Sequence, residues 1–554
     1  MYREYRPIAT VLSLLQRPTG PPNFIDSGSV LSTAALSAIP KQRSRLYGAE
    51  KLGLAAIALV YLGFAVRAAW LRPFVFHEFS TLFVASQPTL GMMFRAIPAD
   101  GNPPLYFVLA RLSLMLPLKA ELALRLPAIL AYLGAGVTVY WFVRRDAVRA
   151  PAWLAMSVFL GSSIAYYAVD ARPYPLLLFF TGLALCCWQV YCVSGNRMAL
   201  AGIALSVAGA IGSHQYGVIY TLFPLFAGEA ARTLRRRKLD LAVWIAGAAG
   251  SLTVFLTFPP MLRGQKPLLD AIKVCPSFAA RPHLTDLKLY AAMLPRFIPV
   301  LVIFWLVILI LWIALAPKRE RSTRPAGIPV EDWAAAIAAT LLLPLILIVA
   351  RLGTNYFQGR YGIGSGLGIA MLCGMLLSQL RWRYAAALGG VAAAYGLIAG
   401  LLVLRSAAKL PEVLSWTDPV LRVGSSQELR SGEPIVIANA TEFSPLWWYS
   451  DEQMRARIHY LTDASYTARQ GWLVPEYSLL LERAYLPMRL DDYQTWLAGR
   501  RHFLLYCSGD PELEWIKHRL ADEGWHLTLL QSAPAVKAPG AKVAGNREMY
   551  EVSR

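Results

Sequence analysis

Long apolar runs recur through the first 405 residues of the chain. Eleven of them are long enough to cross roughly 30 Å of hydrocarbon as helices. They lie near residues 52–71, 124–143, 152–169, 174–193, 198–213, 216–231, 240–258, 296–316, 332–350, 361–380 and 384–404. A twelfth run, residues 104–118, has only 15 positions and fits either a short span or an interfacial helix. The pattern predicts a polytopic α-helical membrane protein with about 11 transmembrane helices.

The pattern changes at about residue 406 to that of a soluble domain. Short strands are predicted at residues 435–440, 458–461, 502–507, 525–530 and 549–552, and helical periodicity at 511–523. Residues 406–554 are therefore expected to form a small extramembrane α/β domain. Residues 1–50 are polar and basic and predict a cytoplasmic tail, which leaves 51–405 as the membrane domain.

Composition supports the membrane assignment. Only 16% of the 554 residues are charged and 56% are hydrophobic, whereas a soluble protein carries roughly 25% charged residues. The net charge of +20 would suit a nucleic-acid binder if it were spread over the chain. Residues 409–554 instead hold 16 basic and 19 acidic residues, against 38 and 15 before them. We therefore expect no nucleic-acid partner.

The basic excess sets the orientation. It lies in five short clusters between apolar runs, at residues 41–45, 144–149, 232–238, 318–324 and 381–383. Such clusters stay on the cytoplasmic side. All five fall on that side if residues 104–118 do not cross and the N-terminus is inside. Residues 72–123 then form a long external loop, and the C-terminal domain is extracytoplasmic.

With this topology, polar residues at the borders of six apolar runs collect on the outer face. They are His77, Glu78, Asp100, Asn102, Tyr106, Arg125, Asp170, Arg172, Tyr174, His214, Tyr216, Arg360 and Tyr361. Ionisable groups at bilayer depth are costly and usually mark a functional site. Any single arginine at a border more often snorkels to headgroups, and a lone His214 is more often a packing residue. Their convergence on one face favours a site.

These residue types suit phosphate chemistry. Arg125, Arg172 and Arg360 can hold a phosphate through charge-assisted, fork-shaped hydrogen bonds. A carboxylate beside them, such as Glu78, can take a proton from an attacking hydroxyl.

At these positions the sequence resembles the protein O-mannosyltransferase-like family of GT-C glycosyltransferases and, more distantly, the lipid A aminoarabinose transferases. The resemblance runs from about residue 52 to 405. It rests on five ordered elements: residues 77–78, 102–106, 125–127, 171–174 and 360–361. It implies a GT-C-like fold and a polyprenyl-phosphate sugar donor. It also implies transfer, with inversion, to a hydroxyl at the outer membrane face.

The resemblance implies roles for the site residues as well. His77 stands where the family has its catalytic acidic residue, and Asn102 where it has a histidine. The base is therefore Glu78, Asp100 or His77, with Glu78 preferred. Donor phosphate is assigned to Arg125, Arg172, Arg360 and His214. Substrate contacts are assigned to Asn102, Tyr106, Asp170, Tyr174, Tyr216 and Tyr361.

Some questions stay open in the sequence. No metal-binding motif stands out, and a divalent cation is left open as a cofactor. The acceptor is a protein, a lipid or a glycan, and neither it nor the sugar is identified. The competing interpretation is a secondary transporter with a periplasmic accessory domain. That class favours repeated halves and helices broken near mid-membrane, whereas polarity here gathers at one face. We expect an inner-membrane, multi-pass enzyme.

Overall fold

A computed structural model describes residues 33–144, 150–274, 281–294, 327–379, 394, 396–407, 432–470, 473–510, 513–534 and 545–554. Its membrane part is helical. The helices are α1 (Thr33–Leu71), α2 (Phe76–Ala85), α3 (Leu90–Asp100), α4 (Leu105–Leu114), α5 (Ala120–Val143), α6 (Ala150–Gly161), α7 (Tyr174–Ser194), α8 (Arg197–Ser213), α9 (Gly217–Arg236), α10 (Leu241–Ser251), α11 (Thr253–Val274), α12 (Leu289–Ala292), α13 (Val330–Thr340), α14 (Leu342–Leu352), α15 (Ser365–Ser378) and α16 (Gly396–Ala407).

Among the described residues, five helices are long and apolar enough to cross a membrane. They are Lys51–Leu71, Ala120–Val143, Tyr174–Ser194, Leu241–Lys273 and Gly359–Ser378. The number rises to seven if two bent pairs each count as one span: Pro151–Gly161 with Ser163–Val169, bent by 67°, and α13 with α14, bent by 48°. The predicted run at 296–316 and most of 384–404 lie outside the described residues. The number eleven therefore stays a prediction.

The first predicted external loop is folded into helices. Thr89 caps α3 by accepting a hydrogen bond from Met92 N, and Gly101 ends that helix with a φ of 82°. The 104–118 run forms α4, whose ten residues are too short to cross a bilayer. Helices α2 to α4 thus lie between two candidate spans, and the external location of this segment stays a prediction.

The C-terminal residues form the expected α/β domain. Its elements are β1 (Ile435–Ile437), α17 (Ala440–Tyr449), α18 (Glu452–Arg457), β2 (Ile458–Thr462), α19 (Ala464–Gln470), α20 (Leu473–Glu482), β3 (Leu490–Asp492), α21 (Tyr493–Ala498), β4 (His502–Cys507), α22 (Trp515–Asp522), β5 (His526–Pro534) and β6 (Asn546–Ser553). The sheet order is β3-β2-β1-β4-β6-β5. The first four strands in that order are parallel to one another. Strand β6 is antiparallel to both of its neighbours, β4 and β5. Strand β3 was not predicted.

The C-terminal domain packs directly on the loop helices. Trp448 lies 6.2–6.4 Å, between ring centroids, from Phe74, Phe79 and Phe83. The Tyr449 hydroxyl accepts from Phe74 N at 2.7 Å and donates to Glu121 Oε1 at 2.9 Å. One apolar cluster therefore runs from the loop helices into the sheet. This contact brings the C-terminal domain over the end of the bundle where the polar residues gather.

Candidate active site

The polar residues predicted from six segments meet at one end of the helical bundle. The bend after α6 turns the chain so that residues 170–173 lie beside the start of α2. Helices α8 and α9 contribute the turn that carries His214 and Tyr216, and a short 3₁₀ turn carries Arg360 and Tyr361. Each predicted position can therefore be followed to its contacts.

Glu78 and Arg125 form a fully buried, two-pronged ion pair. Arg125 Nε donates to Glu78 Oε1 at 2.7 Å and Nη2 to Oε2 at 2.6 Å. The other N–H groups of Arg125 donate to the carbonyls of Ala69, Arg72 and Pro73. All five of its donors are thus used within the protein. In this arrangement no N–H group of Arg125 is left for a donor phosphate, and its phosphate-binding role stays a prediction.

Glu78 is equally committed. Its oxygens also accept from Val75 N at 3.0 Å and Ala171 N at 2.8 Å. Burial alone would raise the pKa of Glu78, but the guanidiniums of Arg125 and Arg72 lower it below its usual value. A fully bonded carboxylate with a depressed pKa is a poor proton acceptor. In this geometry Glu78 fixes the loop, and its preferred assignment as the base stays a prediction.

Asp100 is held by two neighbours. Its Oδ2 accepts from Arg172 Nη1 at 2.8 Å, and its Oδ1 from Asn102 Nδ2 at 2.5 Å. Arg172 Nη1 also donates to the His77 carbonyl at 3.1 Å. Asn102 therefore orients Asp100, and Arg172 joins the Asp100 segment to the start of α2. No described residue accepts a hydrogen bond from Arg172 Nε, which is buried.

His77 and Asp170 form a histidine–carboxylate pair. His77 Nε2 lies 2.9 Å from Asp170 Oδ1 and 3.1 Å from Oδ2. Burial alone would raise the pKa of Asp170, but His77 and then Arg72 and Arg172 hold it well below its usual range. Asp170 is thus an ionised acceptor that favours the proton on Nε2 and leaves the Nδ1 lone pair open. The His77 side chain is 30% exposed.

Aromatic rings and two further basic side chains form the other half of the site. The His214 ring lies 5.2 Å from Tyr174, 5.7 Å from Tyr216 and 5.8 Å from Tyr361. Its Nδ1 accepts from Tyr216 N at 3.1 Å, which places its proton on Nε2. Burial and then the nearby Arg172 and Arg360 lower the pKa of His214 to about 3. It is therefore a neutral donor.

Arg360 differs from the other guanidiniums of the site. Its Cζ lies 6.0 Å from the centre of the Tyr174 ring, and tyrosines are its nearest ionisable neighbours. In the described part of the chain it forms no ion pair, and its buried Nε has no acceptor. Such a cation has its hydrogen-bonding capacity left for an anionic ligand.

Some residues fall outside the prediction. Tyr106 is buried and donates to the Leu124 carbonyl at 3.0 Å, so its hydroxyl is already bonded within the protein and its substrate contact stays a prediction. Sequence reasoning missed Arg72, which donates to Val169 O at 2.7 Å and to the Tyr166 hydroxyl at 2.5 Å. Its position directly after the first span was the available signal. It also missed Glu482, and nothing in the sequence around Glu482 indicates that it belongs to the site.

A metal centre does not fit the residues present. Among the described residues, no group of three or more His, Cys, Asp or Glu side chains could hold a metal ion. Asp100 and Asp170 already accept hydrogen bonds from Arg172 and His77. We derive no step through a divalent ion.

Comparison with known proteins gives the fold. No family model matches the chain, and no curated protein sequence matches it significantly. The crystal structure of ArnT from Cupriavidus metallidurans in the apo state is similar, with a TM-score of 0.52 and 14% identity, covering 91% of this chain and 98% of that one. The structure of the same protein bound to undecaprenyl phosphate has a TM-score of 0.49 and 13% identity, and the match covers 91% of this chain and 98% of that one. The chain has an ArnT-like GT-C fold. This confirms the predicted GT-C-like fold and, at the level of the fold, the more distant resemblance. The number of spans stays a prediction, and the O-mannosyltransferase-like family is not confirmed.

Proposed function

We propose that this chain is an integral-membrane glycosyltransferase. It moves a sugar from a polyprenyl-phosphate donor to an acceptor hydroxyl at the extracytoplasmic face, with inversion. The observation that carries the proposal is the juxtaposition, in a GT-C fold, of the His77–Asp170 pair with Arg360, whose guanidinium forms no ion pair with any described residue. The pair supplies a base and the guanidinium an anion site, the two groups that such a transfer needs.

The donor phosphate binds Arg360, assisted by His214 Nε2 and by the N–H groups of Arg172 that bond no described residue. The phosphate is the leaving group, so negative charge grows on it as the bond to the sugar breaks. Preformed donors in a site shielded from water stabilise that charge best. Tyr174, Tyr216 and Tyr361 surround His214 and offer aromatic faces to the sugar or lipid.

The acceptor is activated by His77. Its Nδ1 takes the proton of the acceptor hydroxyl while the oxygen attacks the anomeric carbon from the side opposite the phosphate. The carbon–oxygen bond to the phosphate breaks, and polyprenyl phosphate leaves with the electron pair. Asp170 holds the imidazole in the correct tautomer and stabilises the imidazolium that forms. One displacement inverts the configuration of the sugar.

Glu78 and Arg125 build the support for this pair. Arg125 clamps the carbonyls of residues 69, 72 and 73, and Glu78 accepts from Ala171 N, next to Asp170. Together they fix the end of α1, the start of α2 and the turn that carries Asp170. Their role is to position His77, not to react. Residues 406–554 cover this end as an extracytoplasmic domain, and 1–50 form a cytoplasmic tail.

The test uses the full chain in lipid nanodiscs. Wild type is expected to bind undecaprenyl phosphate and to consume an undecaprenyl-phosphate-linked sugar. His77→Gln should lower transfer by about 10²–10⁴-fold, the usual share of a general base, with binding of undecaprenyl phosphate unchanged. His526→Gln, at an exposed position of β5, is the matched control. Wild type that neither binds the lipid phosphate nor consumes any such donor would refute the proposal.

A further inference from the structure

A carboxyl group of the C-terminal domain lies within the candidate active site. Glu482 is the last residue of α20 and is only 4% exposed. Ser80, Asp100 and Arg172 are its polar neighbours. Through Arg172 Nη1, Asp100 is joined to the His77 backbone carbonyl. Glu482 therefore lies on the side of the site where the base is found.

Helix α20 forms a roof over that end of the bundle. Tyr477 and Leu481 of α20 pack with an apolar cluster of α11, which also contacts Tyr356. The ring centroid of Tyr356 lies 6.0 Å from that of Tyr361, the residue next to Arg360. The chain following α20 is fixed on the loop helices, because Gln87 Nε2 donates to Tyr485 O and the Tyr485 hydroxyl donates to Arg95 O, both at 3.1 Å. The roof thus extends from the Arg360 side to Asp100.

Glu482 lacks the pairing that the other carboxyl groups of the site have. Glu78, Asp100 and Asp170 each have a cationic or imidazole partner, whereas Glu482 forms no ion pair within the described ranges. Burial and then Asp100 raise the pKa of Glu482 to about 8. At neutral pH it is a carboxylic acid, which donates one hydrogen bond and accepts others. A sugar or polyol hydroxyl offers that same combination.

We propose that Glu482 binds the hydroxyl-bearing acceptor, so that the C-terminal domain supplies an acceptor-binding residue to the membrane site. This inference rests on the proposed function and adds the part of the site that selects the acceptor. The acid O–H of Glu482 donates to an oxygen of the acceptor, while its carbonyl oxygen accepts from a neighbouring hydroxyl. The reacting hydroxyl is thereby held beside His77.

The test separates acceptor binding from donor chemistry. Full-length protein in nanodiscs is given an undecaprenyl-phosphate-linked sugar, with water alone or with the envelope lipid and glycan fraction of the producing cells as acceptor. Glu482→Leu should raise the apparent KM for the envelope fraction by about tenfold or more, since a hydrogen bond to a buried acid is lost. Binding of undecaprenyl phosphate should keep its wild-type Kd, and transfer to water should fall by much less than transfer to the envelope fraction.

Glutamine provides the decisive comparison, because its amide also donates and accepts. Glu482→Gln should keep a KM close to wild type at neutral pH. In wild type the KM should rise above about pH 8, where Glu482 loses its proton beside Asp100 and Arg172, and in Glu482→Gln this rise should vanish. Glu452→Gln, at an exposed position of α18, is the control.

Every other outcome counts against the inference. A wild-type KM in Glu482→Leu would show that the acceptor does not touch this residue. Equal losses in transfer to water and to the envelope fraction would assign Glu482 a structural role. No transfer to the envelope fraction by wild type, with donor still bound and hydrolysed, would overturn the acceptor class. Failure of wild type to bind undecaprenyl phosphate would instead contradict the proposed function itself.

Discussion

Arg125 and Arg360 are both arginines at the border of an apolar run, but their guanidiniums differ in what they have left to donate. Arg125 uses all five N–H groups on Glu78 and three backbone carbonyls. Arg360 has no carboxylate partner in the described ranges and lies against Tyr174. An arginine of the first kind stabilises the fold, and one of the second kind is available to a ligand.

Replacing Arg360 should therefore weaken donor binding. Arg360→Ala loses charge-assisted hydrogen bonds of about 1.5–3 kcal/mol, which corresponds to roughly a 10- to 100-fold rise in the Kd for undecaprenyl phosphate. Arg360→Lys should recover only part of this, because an ammonium lacks the planar fork. Titration of nanodisc-bound protein with undecaprenyl phosphate measures it, with exposed Arg351→Ala as control. Unchanged affinity in Arg360→Ala would remove this residue from the phosphate site.

Glu78→Gln should lower stability, and it should affect transfer only through the position of His77. It leaves the Arg125 charge buried without its partner, a change that costs roughly 3–5 kcal/mol. We expect a clear fall in Tm, whereas His77→Gln should keep the wild-type Tm and lose transfer. Thermal unfolding in detergent, paired with a transfer assay, distinguishes the two. A stable Glu78→Gln protein that has lost only transfer would return the role of base to Glu78.

At the scale of elements, the Asp100 segment is held from outside its own helix. Gln265 of α11 donates to Pro98 O at 3.1 Å and to Ala99 O at 2.7 Å. Gly264 lies so close to α3 that a Cβ there would clash with the Pro98 carbonyl. Helix α11 thus holds the end of α3, whose last residue, Asp100, binds Arg172.

A methyl group at this contact should disturb the site. Gly264→Ala forces α11 away from Pro98, since backbone atoms cannot rotate aside, and overpacking of this kind costs about 1–3 kcal/mol. Transfer and Tm should both fall as Asp100 moves relative to Arg172. Gly63→Ala in α1 is the matched control, because no neighbouring element among the described residues lies within 4 Å of the new Cβ. Wild-type transfer and Tm in Gly264→Ala would show that this contact is unimportant.

The convergence of the polar segments could be predicted from sequence, because alternating spans place every second border on one side. Most of the sheet could also be predicted from its pattern of residues. Only β3, with three residues, was too short to give a pattern. The commitment of Arg125 could not be predicted, since its carbonyl acceptors at residues 69, 72 and 73 have no side-chain signature. Glu482 was missed because docking of the C-terminal domain, not local sequence, brings it to the site.

In the whole molecule, the proposed function requires the C-terminal domain and the His77–Asp170 pair to lie on the extracytoplasmic side of the membrane. A reporter fused after Arg554 should therefore be active outside the cytoplasm, and one inserted after Arg236 should be active inside it, since basic clusters remain cytoplasmic. Paired alkaline phosphatase and fluorescent protein fusions measure both. A cytoplasmic C-terminal reporter would invert the proposed active face.

The most direct measurement of the central claim is a cryo-EM structure of the full chain in nanodiscs with undecaprenyl phosphate. We predict that the phosphate lies within hydrogen-bonding distance of Arg360 and His214 Nε2, on the same side as the His77–Asp170 pair, with Arg125 still bonded to Glu78. A phosphate bound by Arg125 after its release from Glu78, or bound away from Arg360 and His77, would contradict it.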